Sequence, residues 1–288
     1  MAGRHGPAAR VDDGGGRRTS PGLADRPAGA GEEGRGGLVD DRIGSRRVVP
    51  RWRSSRRAGA LLVVLVLLDL GVLAGDALHR YATLQGRFPA FAGWRWDSQL
   101  DWSWAEVLGY VQLAAASLVL LVVALRARSL LLGAWSSLLG VVVLDDAAQL
   151  HERGGFALAR AVGVSEVGGL RGGDVGELVV WAAYGSVLGL LVVLAHRRCA
   201  DAGLRRASWW LAGGTGLLLL AGAGLDVAHE LLAPVLPGRA GYALALAESA
   251  GELLAMSLLL VLALVTALTT APTTALTTAL PSGRAGRA

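Results

Sequence analysis

The chain has 288 residues, 53% of them hydrophobic, a formal net charge of +5, one cysteine, and several apolar runs close to twenty residues long. A hydrocarbon core about 30 Å thick takes roughly twenty apolar residues at 1.5 Å each, so the composition defines a multi-pass membrane protein, and a lone cysteine excludes an internal disulfide or a C-x-x-C metal site. The charge is no nucleic-acid signature: residues 1 to 57 carry 13 Arg against 7 Asp and Glu, whereas residues 58 to 288 carry 15 against 16, so the basic excess lies in the amino-terminal segment.

That segment, 1 to 57, is rich in Gly, Pro and charge and has no apolar periodicity. It cannot bury enough surface to offset the entropy of ordering, and is predicted to be a disordered tail. Six spans follow, predicted at 58 to 79, 106 to 125, 129 to 150, 176 to 195, 208 to 232 and 242 to 268. They make an all-α bundle of six transmembrane helices over 58 to 268, with a low-complexity tail, "TTAPTTALTTALP" and onward, over 269 to 288. Arg51, Arg53, Arg56 and Arg57 precede span 1; Arg126 and Arg128 follow span 2; Arg197, Arg198, Arg205 and Arg206 lie between spans 4 and 5; Arg284 and Arg287 close the chain. The positive-inside bias then predicts both termini in the cytoplasm of a plasma-membrane protein.

The first outer loop, "WRWDSQLDWSW", places Trp94, Trp96, Trp102 and Trp104 among charges. It reads as an aromatic belt at the membrane interface, with a lipid-substrate or partner surface as the other use of such residues. The second, "GGFALARAVGVSEVGGLRGGDVGE", is glycine-rich and is predicted to be a loop mobile enough to cover something, which does not by itself make it a lid.

Ionisable groups gather toward one end of the spans. Span 1 carries Asp69 near its middle and Asp76 with His79 near its outer end. Span 3 ends in "DDAAQLHE", with Asp145, Asp146, His151 and Glu152, and span 5 ends with Asp226, His229 and Glu230. The returning spans begin with Glu106, Glu177, and the pair Glu248 and Glu252. Asp226, His229 and Glu230 are spaced i, i+3, i+4, Glu248 and Glu252 i, i+4, and Asp76 and His79 i, i+3, so each set shares a helix face. Asp145, Gln149 and Glu152 also share a face, with Asp146 and His151 elsewhere around the helix. His151 joins them only if the helix unwinds at Gly154-Gly155. Counting inward at 1.5 Å per residue puts Asp226 about 12 Å, Asp145 about 13 Å and Glu248 about 10 Å deep. A charge at the bilayer centre costs roughly 2.5 to 3.5 kcal/mol, so these groups are predicted to face one another around a polar chamber open to the outside.

Three imidazoles with carboxylates suit zinc, or another divalent ion, with a position left for water. The predicted ligands are His79, His151, His229 and Asp226, with Asp76, Asp145, Asp146, Glu152 and Glu230 in reserve. Glu248 or Glu252 is the predicted proton acceptor in a metal-assisted hydrolysis of a lipid or extracytoplasmic small molecule. Two other readings stay open: a proton- or cation-coupled transporter using the same acids, and a non-catalytic scaffold in which the polar groups hold the helices in register. The inner half offers few polar steps, which counts against a continuous ion path. The chain has no Gly-rich phosphate loop, no G-x-S-x-G elbow and no basic groove-reading helix, which argues against nucleotide hydrolysis, serine-esterase chemistry and nucleic-acid partners.

"LDDAAQLHE" resembles the D-E-x-x-x-x-H-E helix end, and "AESAGELLAMSLLLVLAL" the paired-acid final helix, of a broad group of poorly characterised bacterial multi-pass membrane proteins. The resemblance covers spans 3 to 6. Asp146 stands where that pattern has Glu, and Ser249 where it has a second adjacent acid. The membrane zinc hydrolases of the alkaline ceramidase and adiponectin-receptor group share a chemistry of three His plus Asp, but their paired histidines on the last helix are absent here.

Overall fold

The computed structural model describes residues 51–232 and 235–270. Of the tails expected over 1–57 and 269–288, residues 1–50 and 271–288, Arg284 and Arg287 included, lie outside the described residues. Seven helices and one two-stranded hairpin make up the described chain: α1 (Arg51–Gln85), α2 (Trp104–Ala127), α3 (Leu130–Ala148), α4 (Leu150–Val162), β1 (Glu166–Val167), β2 (Leu170–Arg171), α5 (Gly172–Arg198), α6 (Ala202–Leu232) and α7 (Gly238–Thr270). All but α4 are long and apolar enough to cross a membrane, giving six candidate spans among the described residues. The protein is an all-α membrane bundle.

Observed helices outrun several of the apolar runs. Residues 51 to 57, which composition assigns to the tail, already belong to α1, because arginine is a good helix former and the apolar run continues the same helix. Connections on one side are short. Arg128, in the left-handed conformation, ends α2; Ser129 then starts α3 by accepting from the Leu132 amide, and Asp201 starts α6 by accepting from the amides of Gly203 and Leu204.

The second outer loop holds a helix and a hairpin. Gln149, at φ 53° and ψ 43°, breaks the chain into α3 and α4, so the helix end falls there and not at Gly154-Gly155. Those glycines continue α4, and Gly155 lies against α5: a Cβ on Gly176 would collide with the Gly155 carbonyl, and one on Gly155 with the Glu177 backbone. Small residues here allow close helix contact, the use membrane helices commonly make of them. A Gly168-Gly169 turn at positive φ closes the hairpin β1–β2, in which Glu166 pairs with Arg171.

In the bundle α2 packs between α3 and α7, α6 and α1 lie on α7, and α5 lies on α3 and α4. A continuous apolar core fills the half of the bundle that holds Leu120 of α2, Leu131, Leu132, Trp135 and Leu139 of α3, Leu211 of α6, and Leu259 and Ala263 of α7. Trp135 Nε1 donates to Ser208 Oγ there, and His196 Nδ1 lies 3.1 Å from the same hydroxyl, which ties α3, α5 and α6 together. Outward apolar residues such as Leu67, Leu118, Leu190 and Trp209 need no protein partner, since lipid is their solvent. The candidate site residues lie toward the other end, which carries the carboxyl ends of α1, α3 and α6 and the amino ends of α2, α5 and α7, while Asp69 lies midway along α1.

Candidate functional site

At that end α2, α3, α6 and α7 surround a cavity of about 300 Å³. Five carboxylates line it: Glu106 from α2, Asp146 from α3, Asp226 from α6, and Glu248 and Glu252 from α7, joined by His229, Tyr110, Ser249 and the loop residues Ser98 and Gln99. The spacing of the sequence explains the convergence. Asp226 and His229 share a face of α6, and Ala245, Glu248, Ser249, Glu252 and Met256 form one face of α7. A π-turn at Leu220–Gly224 shapes α6 where it meets that face. Gly251 packs on Ala221, and Glu252 Oε1 stands 2.7 Å from where a Gly222 Cβ would be, so a side chain at 222 would displace the carboxylate.

Adjacent acids on a helix point about 100° apart, and α3 uses this to divide its pair. Asp146 faces the cavity. Asp145, buried on the other side, accepts from Tyr184 Oη of α5 at 2.5 Å and lies 2.7 Å from His151 Nδ1. The turn at Gln149 carries His151 back to it, while Gln149 Nε2 donates to Asp101 in the first outer loop. The ring of His151 also meets the edge of Trp181 at 5.6 Å. In this arrangement Nδ1–H donates to Asp145, and a cation held by both residues would take the place of that proton. Asp145, Asp146 and His151 each offer a ligand atom, and these atoms lie within 4.8 Å of one another. Two carboxylates and one imidazole so placed fit a divalent cation's donor set.

The expected three-histidine centre does not assemble among the described residues. His79 Nδ1 lies 2.7 Å from the Phe91 carbonyl oxygen, and Asp76, fully buried, accepts from the Ser98 amide and from Tyr242 Oη. That pair fastens the first outer loop, which brings Ser98 and Gln99 to the cavity. The third histidine, His229, has its Nδ1 4.0 Å from Glu248 Oε2. Glu230 turns to the surface and pairs with Arg171, which also binds Asp174, while Glu152 is half exposed with an oxygen 4.0 Å from His151 Nε2. Neither Glu230 nor Glu152 lines the cavity. Asp226, Glu248 and Glu252 do, as the face argument requires, whereas Glu230, which the i, i+4 spacing put on the face of Asp226, is drawn away to Arg171.

Three participants escape the sequence-derived ligand set. Glu106 accepts from the Trp102 amide and from Tyr110 Oη, and Tyr184 holds Asp145. The i, i+4 spacing of Glu106 and Tyr110 was a usable signal. Tyr184 sits in an apolar run with nothing to mark it.

Fold and cavity together define a six-span helical membrane protein with an acid-lined chamber at one end of its bundle. The chain belongs to the family described as Domain of unknown function (DUF8692), whose profile matches residues 57–268. No curated protein and no solved structure matches it.

Proposed function

We propose that the protein binds a divalent cation at Asp145, Asp146 and His151, and that the adjoining acidic chamber is where a metal-assisted hydrolysis takes place. The supporting observation is the approach of those three ligand atoms to within 4.8 Å, with Asp146 shared between the cluster and the cavity. A donor set of two carboxylates and one imidazole is harder than three imidazoles, which moves the preference from zinc toward manganese or magnesium. Such an ion supplies Lewis acidity and lowers the pKa of bound water.

The chain's own residues would do the rest. Tyr184 holds the Asp145 carboxylate in place, and Glu248 or Glu252 accepts a proton across the chamber. Ala105, Ala245, Leu253 and Met256 supply the apolar part of the chamber wall, where a substrate's apolar portion would lie. With the arginine-rich ends of the spans in the cytoplasm of a plasma-membrane protein, the chamber faces the extracytoplasmic side and receives its substrate from the outer leaflet or from outside. Metal analysis of the purified protein tests this. Wild type is expected to retain stoichiometric divalent metal, and Asp146→Asn and His151→Ala to lose it while staying folded. Metal-free wild type that shows proton- or cation-dependent flux in liposomes would replace this reading with the transporter.

A further inference from the structure

Asp69 takes no part in the chamber. It lies in the middle of α1, about 20 Å along the helix from Arg56 and about 24 Å from Gln85, and only 4% of it is exposed. Gln112 Nε2 of α2 donates to its Oδ1 at 2.8 Å, and Ser257 Oγ of α7 lies 2.6 Å from its Oδ2. Both of these hydrogen-bond partners are neutral. The titratable groups next along α2, α7 and α1 toward the chamber are Tyr110, Glu252 and Asp76.

An ionised carboxylate at this depth has lost its water and gained no counterion, a state that costs several kcal/mol and is relieved by neutralisation. The observed positions accommodate the neutral acid without movement. Oδ2–H donates to Ser257 Oγ, Gln112 Nε2 still donates to Oδ1, and the Ser257 hydroxyl turns to the carbonyl one turn back. Thr266 makes that last bond on the same helix, to the Leu262 carbonyl at 2.7 Å.

The group also adjoins the chamber floor. Gly109 and Met256 line the cavity, Gln112 is one turn past Gly109, and Ser257 directly follows Met256. The Met256 thioether lies on Gly109, 2.6 Å from where a Cβ would stand, and is a flexible, unbranched group at that floor. Gln112 Oε1 is buried and accepts no hydrogen bond, so an acceptor is at hand one turn below the cavity.

We propose that Asp69, Gln112 and Ser257 form a buried proton-binding site, in which Asp69 is the neutral acid and exchanges its proton with solvent through the acidic chamber, past Met256. The site does not depend on the metal reading, and its test reads no metal.

The test is infrared spectroscopy of the full-length protein in lipid nanodiscs with isotope-labelled aspartate. A neutral-carboxyl C=O band is expected in wild type at neutral and mildly alkaline pH and is expected to be lost in Asp69→Asn. In heavy water the band should shift as the proton exchanges, and faster in Met256→Ala than in wild type. Ser257→Ala, which removes the proton's acceptor, should move the band, and this keeps the test decisive if Asp69→Asn fails to fold. Identical bands in wild type and Asp69→Asn, or no band at all, would show an ionised Asp69 and overturn the proposal. So would a sodium-dependent rise in Tm that Asp69→Asn abolishes, which would assign the site to a metal ion. Exchange unchanged by Met256→Ala would overturn the route through the chamber.

Discussion

His151 Nδ1 lies 2.7 Å from Asp145 Oδ2 although the two residues belong to different helices, and the joint between them is Gln149 in the left-handed conformation. In a continuous helix, positions six apart point about 120° away from each other's side and a full turn and a half apart along the axis. The single reversed residue turns a ladder of polar groups into a pair.

A substitution at the joint should therefore act on the pair. A β-branched residue at positive φ costs about 1 to 2 kcal/mol, whereas glycine adopts it freely. Gln149→Val is expected to lower Tm and to weaken metal retention, and Gln149→Gly to spare both. Asp101→Ala removes the partner of the Gln149 amide and so separates loss of that bond from strain. Equal metal content in the Val and Gly variants would show that the joint does not set the cluster.

The contact between Gly155 and Gly176 holds α4 against α5, beside the Asp145 cluster. Any side chain at 176 meets the Gly155 backbone, which cannot move aside as a flexible side chain would, so Gly176→Leu is expected to cost about 3 kcal/mol or more, as overpacking against rigid atoms does. Gly185→Ala and Gly189→Ala, on the same helix, meet nothing within 4 Å and should leave Tm unchanged or slightly raised. Thermal unfolding in detergent distinguishes them. Three similar Tm values would mean that α4 is not held by this crossing.

The six spans and the crowding of acids at one end were legible because both follow from one cost, that of placing a charge in hydrocarbon. The 3.6-residue period correctly put Asp226 with His229 and Glu248 with Glu252, and all four line the cavity. Where reasoning from periodicity stopped was at partners supplied by other segments. His79 looks like a ligand by depth and spacing, but the Phe91 carbonyl of a loop without periodicity lies against its Nδ1. Asp145 and Asp146 could be assigned to different faces, yet only the positions of α5 and α7 decide which faces the chamber. The glycines of α4 read as a mobile loop because composition cannot tell a glycine that frees the backbone from one that admits a neighbouring helix.

His229 and Glu252 both line the chamber, but the direct neighbour of His229 is Glu248, at 4.0 Å, both side chains being partly buried. Groups in contact give coupling of about 0.5 to 3 kcal/mol in a double-mutant cycle, and at this distance the lower end applies. His229→Ala with Glu248→Gln should therefore be non-additive in thermal stability whatever the protein does. Coupling between His229→Ala and Glu252→Gln would carry different information, because they have no ion pair between them and would need a shared ion or ordered water across the chamber. If an ion bridges them, each single variant loses metal and the double variant is little worse than either. If their effects add and metal content does not change, no ion bridges His229 and Glu252, and the cation is held by Asp145, Asp146 and His151 alone.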